Sequence, residues 1–241
     1  MELRTTMRCL QALQNLGISD QHLISWYEAV FVNPDLSRTD LLFQKVAQHI
    51  VIDDLLELSR IYVTQGFITG IRSTVDYFRQ IVGVKQSVDV TVSSTPHSRR
   101  QSGGVFLYRA VIENNILTES KLLIDKDLWR HQPASTYVEI VAHEMWHAYQ
   151  TMCGLNWIRS VGFLGISPSS APLGALYAVN MLCSIEPDDD LSGYGEQLSE
   201  REAYRFNAFI MDWIETLFQE AYLSGRITGE RNVFYSVPIC H

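Results

Sequence analysis

The stretch from Thr136 to Gly154 constrains the fold more than any other part of this chain. Thr136-Tyr137-Val138-Glu139 has the S/T-x-x-E form of a capping box, and Pro133 just before it discourages an earlier helical start. Gly154 offers a stop after Met152-Cys153. Between these limits Val138, Val141, Met145, Ala148 and Met152 recur at spacings of three and four, the mark of a buried helical stripe. Glu139, His143, His147 and Gln150 fall on another side, with Trp146 at its edge. Whatever this chain folds into must cover one face of the helix and hold the second in a defined setting.

That second face has the chemistry. His143-Glu144-Met145-Trp146-His147 reads H-E-x-x-H. Histidines four apart stand one above the other on a helix, so both imidazoles can reach a single metal ion. Glu144 lies beside them, placed to take a proton from a metal-bound water. Few charged residues flank it. The site is therefore expected to be largely dry, which strengthens metal–ligand electrostatics and tunes the carboxylate toward proton transfer.

A catalytic zinc takes three protein ligands and leaves a fourth position open. With seven histidines in 241 residues, a third His is not the default. Ala203, Phe206, Ile210, Trp213 and Leu217 mark a second amphipathic helix, on which Glu196, Glu200, Tyr204, Asn207 and Met211 define a different face. Ser199 and Glu202 have capping-box spacing, which gives Glu202 a structural task at the helix start. Glu200 is the carboxylate left over and the first candidate for the third ligand, followed by Glu202 and then Glu196.

His143-Glu144-x-x-His147 followed by Glu200-x-x-Ala203 resembles the gluzincin peptidases, whose third ligand is a Glu on a downstream helix. More narrowly, Glu200-Arg201-Glu202-Ala203-Tyr204-Arg205-Phe206-Asn207-Ala208 is similar to the E-x-E-A-N-x-F-A segment of the ImmA/IrrE-like metallopeptidases. The resemblance implies His143, His147 and Glu200 as zinc ligands and Glu144 as general base. It covers two helices, and it has one departure: relatives carry Asn or Asp four residues after the ligand Glu, where this chain has Tyr204. It also implies a sheet edge beside the zinc helix that takes substrate as an added strand, and Lys121-Leu122-Leu123-Ile124-Asp125 is the strand candidate nearest in sequence. An oxyanion donor is still required; Tyr204, Tyr194 and His131 are candidates in that order, with Tyr204 named as a catalytic residue alongside Glu144.

Acidic residues outnumber basic ones 27 to 19, for a net charge of −8. That balance argues against a nucleic-acid partner, since phosphate binding needs concentrated Lys and Arg, and so against a DNA-associated protease. Ser98-Arg99-Arg100-Gln101 is too short to mean more than a solvated loop. Cys9, Cys153, Cys183 and Cys240 are scattered and form neither a zinc ribbon nor a disulfide framework. No targeting segment or membrane-length apolar run is visible, so a cytoplasmic setting without a membrane partner is the expectation.

The expected fold class is α+β: mostly helical, with a small mixed or antiparallel sheet beside the H-E-x-x-H helix. A helical N-terminal region, 1–84, precedes a catalytic region, 85–241, with a seam near Gly83 to Lys85. Leu41, Leu42, Val46, Ile50, Leu55, Leu56, Leu58 and Ile61 supply helix packing in the first region. Val88 to Val92 and Gly104 to Ile112 read as strands joined by a long hairpin connection over Ser93 to Gly104. Between the two ligand helices, Leu155 to Tyr194 is an insertion that reads either as a lid or specificity pocket or, in its second half, as a core helix around Leu173 to Leu182. Asp188-Asp189-Asp190 lacks the Gly and distal Glu of a calcium loop and reads as a solvated turn. The function these features imply is a zinc-dependent peptidase acting on peptide or protein substrates. The alternative is a regulatory or binding protein on the same scaffold.

Overall fold

The computed structural model of the chain describes residues 11, 13–15, 17–93, 106–114, 116–125, 132–160, 165–185 and 190–236. Helix α1 (Asp20–Tyr27) continues into a π-helical turn, Glu28–Val32. Three helices follow: α2 (Asp40–Ala47), α3 (Ile52–Gln65) and α4 (Phe67–Ile81). Strands β1 (Asp89–Ser93), β2 (Phe106–Glu113) and β3 (Ile116–Asp125) form one sheet. Then come α5 (Ala134–Ser160), α6 (Leu173–Leu182), α7 (Leu191–Glu196), α8 (Leu198–Leu223) and α9 (Glu230–Tyr235). This is the mostly helical α+β class that the sequence predicts. Among the described residues no helix is long and apolar enough to cross a membrane.

The sheet order is β1-β3-β2, with β3 parallel to β1 and antiparallel to β2. Two strand expectations are corrected by this topology. The strand containing Lys121–Asp125 is central rather than an edge: both its flanks are paired, and Leu122 and Ile124 are fully buried. The hairpin joins β2 to β3, not β1 to β2. Its turn begins at Asn114, whose φ of 52° is the left-handed conformation that asparagine tolerates. Strands β1 and β2 flank β3 without pairing to each other, and the whole connection between them, 94–105, lies outside the described residues.

Helix α5 runs two residues further toward the N-terminus and six further toward the C-terminus than its sequence signals suggest. Its stripe is buried as expected, with Val138, Val141, Met145 and Ala148 at 1% exposure or less. Trp146 is also fully buried, stacked on Phe206 at 4.3 Å between ring centroids and meeting the edge of Phe43 at 5.1 Å. Gly154 does not end the helix. A Cβ there would lie 3.0 Å from the Ala178 backbone nitrogen, and one on Gly174 would lie 3.2 Å from the Cys153 carbonyl oxygen. The two glycines let α5 and α6 cross with their backbones nearly touching.

Two hydrophobic clusters result. The larger joins residues of α2, α3, α4 and β3 to both long helices, α5 and α8. The smaller packs Leu23, Trp26 and Phe31 against Leu176 and Val179 of α6, so the segment Leu173–Leu182 of the insertion is core, as predicted. Leu41 departs from the packing expectation and is 70% exposed.

The start of α8 is held from outside rather than by a capping box. Gln197 stands at the N-cap, and its side chain bonds both the N–H and the carbonyl of Ile185, each at 2.9 Å. Asn180 of α6 accepts from the Ser199 N–H at 3.3 Å and donates to the Ser199 hydroxyl at 2.9 Å. Glu202 therefore has no capping role; it is fully buried. Glu139 likewise accepts from Asn207 of α8 at 3.3 Å, and Thr136 sits inside the helix. Of the triple Asp, Asp190 caps α7 by accepting from the Gly193 N–H at 3.0 Å. Asp188 and Asp189 lie outside the described residues.

Candidate metal centre

Because α5 and α8 pack face to face through Trp146 and Phe206, the histidine face of one meets the Glu200 face of the other. His143 Nε2 and His147 Nε2 are 3.1 Å apart, His147 Nε2 is 3.2 Å from Glu200 Oε1, and His143 Nε2 is 3.5 Å from Glu200 Oε2. A tetrahedral ion with metal–ligand bonds of about 2.0–2.1 Å needs its donors about 3.3–3.4 Å apart. The three separations bracket that value. Glu200 Oε2 is moreover buried without a hydrogen bond among the described residues. His143, His147 and Glu200 can hold a metal ion, in an H-E-x-x-H-type arrangement.

The electrostatics of the cluster are those of a cation site. Burial alone would raise the Glu200 carboxyl, but His147 and His143 outweigh it and hold the group well below the usual carboxylate range. Burial would lower His147, and the Glu200 carboxylate reverses this, pushing the ring up to about 9. Without a metal, a proton on the His147 imidazole does the neutralising.

Glu144 is buried on the same helix. Burial raises its carboxyl above the ordinary value, against the opposing pull of His143 and His147. Its Oε2 accepts from the Tyr108 backbone N–H at 2.7 Å, which ties the side chain to strand β2. No sequence signal marks this contact, since it belongs to a main-chain group.

The remaining expected residues divide. Tyr204 leans on His143, ring centroids 4.7 Å apart, with the residue 59% exposed. Burial and the Glu200 and Glu144 carboxylates raise its hydroxyl. Tyr194 of α7 is raised further, by burial and by Glu200, beside which its hydroxyl lies. Both tyrosines thus border the cluster. His131 lies outside the described residues. Glu196 points to solvent and pairs with Arg201 at 3.6 Å, so it does not join the site. Glu202 faces the opposite way from Glu200, toward Gln150, Tyr177 and Trp146, and burial pushes it up to about 7.

No protein-family model, curated protein or solved structure matches this chain. The class is defined by the site alone: a three-residue cluster able to hold a metal ion, built on two packed helices.

Proposed function

We propose that the chain is a zinc-dependent peptidase of the gluzincin type, and the observation that carries this is the spacing of His143, His147 and Glu200 around one point. Two imidazoles and one carboxylate suit zinc, and three protein ligands leave an open position. Bound there, zinc would supply a Lewis acid that activates water and polarises a scissile carbonyl. Glu144 is the general base. Its Oε2 is held by the Tyr108 N–H, so Oε1 takes the proton from the attacking water and returns it to the leaving amine. Burial supports that role, since it raises the basicity of the carboxylate.

Strand β2 is the sheet edge beside this site. Tyr108 turns its N–H away from β3 to Glu144, and by alternation Phe106 and Ala110 turn their main-chain groups the same way. An extended peptide can pair there as an added strand. Tyr204 and Tyr194 are the oxyanion donors within reach; Tyr194 is held beside Glu200, and Tyr204 is the more open to substrate.

The test is the purified protein with one zinc per chain, compared with Glu144→Gln over a proteome-wide substrate pool. Peptide bonds cut by the wild type and spared by a zinc-loaded variant support the reading. Identical patterns, or no cleavage by either protein, favour a binding or regulatory protein on the same scaffold.

A further inference from the structure

We infer that Gln150, backed by Glu202, is a positioning residue that fixes the tautomer and orientation of His147, an inference resting on the metal centre proposed above. His147 Nε2 faces His143 and Glu200, while its Nδ1 lies 3.0 Å from Gln150 Oε1. Which proton sits where follows from the other end of the amide. Gln150 Nε2 lies 3.1 Å from the Ser199 carbonyl oxygen and 3.2 Å from Glu202 Oε2. A main-chain carbonyl accepts only, so the NH2 group must point to that side and the amide oxygen to His147. An oxygen at Nδ1 requires Nδ1–H, and Nε2 is then the nitrogen with a free lone pair.

The relay is buried from end to end. Gln150 is 4% exposed and Glu202 fully buried, so both are shielded from bulk solvent. It also joins two ligands through one side chain. The amide holds the His147 ring, and its NH2 group holds the carbonyl of Ser199, the residue directly before Glu200. Asn180 clamps the N–H of the same Ser199. In the relatives this chain resembles, an Asn or Asp one turn after the ligand Glu does the ordering, and Tyr204 cannot. Here the ordering comes from Gln150 and Glu202 instead. Outer-shell partners of this kind change metal affinity by about 10- to 100-fold when removed.

The experiment uses the full chain and zinc or cobalt as probes. Long-range 15N–1H spectra of the zinc-loaded wild type should show His147 protonated on Nδ1 and bound through Nε2. Gln150→Leu should lower zinc affinity by about 10- to 100-fold in a chelator competition and shift the visible bands of the cobalt-substituted protein. Glu202→Gln keeps an acceptor for the amide and should stay near wild type, whereas Glu202→Leu should follow Gln150→Leu. A His147 bound through Nδ1, or a Gln150→Leu protein with unchanged affinity and cobalt spectrum, overturns the inference. If Gln150→Leu does not fold, the wild-type spectra still decide it. A wild type that takes up neither zinc nor cobalt overturns the metal centre itself, and this inference with it.

Discussion

Two buried acidic regions lie on either side of the first turns of α8, and they treat a carboxylate in opposite ways. On the side of the candidate metal site, Glu200 meets two imidazoles and is held ionised well below its ordinary range. On the inner side, Glu202 meets an amide and aromatic polar groups, and burial drives it up to about 7. The residues are two positions apart and equally removed from water. Burial is therefore not what makes a ligand; the charge and freedom of the neighbours decide. Each carboxylate keeps one buried oxygen without a hydrogen bond among the described residues; the difference is that basic nitrogens gather around Glu200, whereas neutral amide and aromatic groups surround Glu202.

The sharpest way to break this contrast is in the chemistry. Under the proposed peptidase function, Glu144→Gln should keep the metal and the fold while losing on the order of 100- to 10,000-fold in hydrolytic rate, read from single-substrate kinetics at matched zinc content. Next in size, Glu200→Ala should release the metal at concentrations where Glu202→Gln retains it. Equilibrium dialysis with zinc separates the two, and the reverse order would mean that the inner carboxylate is the ligand.

Titration of the metal-free protein is a third test. His147 has a folded value of about 9 against an ordinary 6.5, so its protonated form stabilises the fold fully below pH 6.5, and that contribution disappears as pH rises through 9. Glu202 at about 7 against 4.5 has the same sign: its contribution is present below pH 4.5 and is lost as pH rises through 7. Each shift, taken alone, corresponds to on the order of 3 kcal/mol. Urea unfolding with a chelator present should thus show stability falling between pH 5 and 9, and Glu202→Gln should reduce the part of the fall below pH 7, to which the raised Glu144 carboxyl also contributes. Glu200 acts oppositely, and its stabilisation is lost only on strong acidification. The smallest effect is expected at the helix crossing. Gly154→Ala should cost about 1–3 kcal/mol of stability by overpacking against Ala178.

Much of the candidate site was legible because it is local. The H-E-x-x-H spacing put His143 and His147 on one helix face, and the three-and-four stripe of the second helix left Glu200 as the first candidate for a third ligand. What escaped was long-range. Strand order depends on which edges meet once the chain is folded, and nothing in Lys121–Asp125 itself says that both its flanks are paired. Ser199 and Glu202 fit a capping box by spacing, but Asn180, nineteen residues earlier, takes the hydrogen bonds that the box would need. Gly154 looked like a stop because a glycine's freedom and its smallness leave the same letter in the sequence. The tie between Tyr108 and Glu144 is made by a backbone group that every residue but proline possesses, so no side-chain pattern could announce it.

The glycine crossing of α5 and α6 has a mechanical consequence. Gly154 lies one turn beyond Gln150 on α5, and Asn180 lies half a turn beyond Ala178 on α6. The gap between the two helices is thus the ruler against which the Ser199 clamp is set. A single methyl group there would press on the Ala178 backbone, on the same helix whose Asn180 holds the N–H of Ser199 beside Glu200. The thinness of two helices where they touch thus bears on residues that never enter the contact.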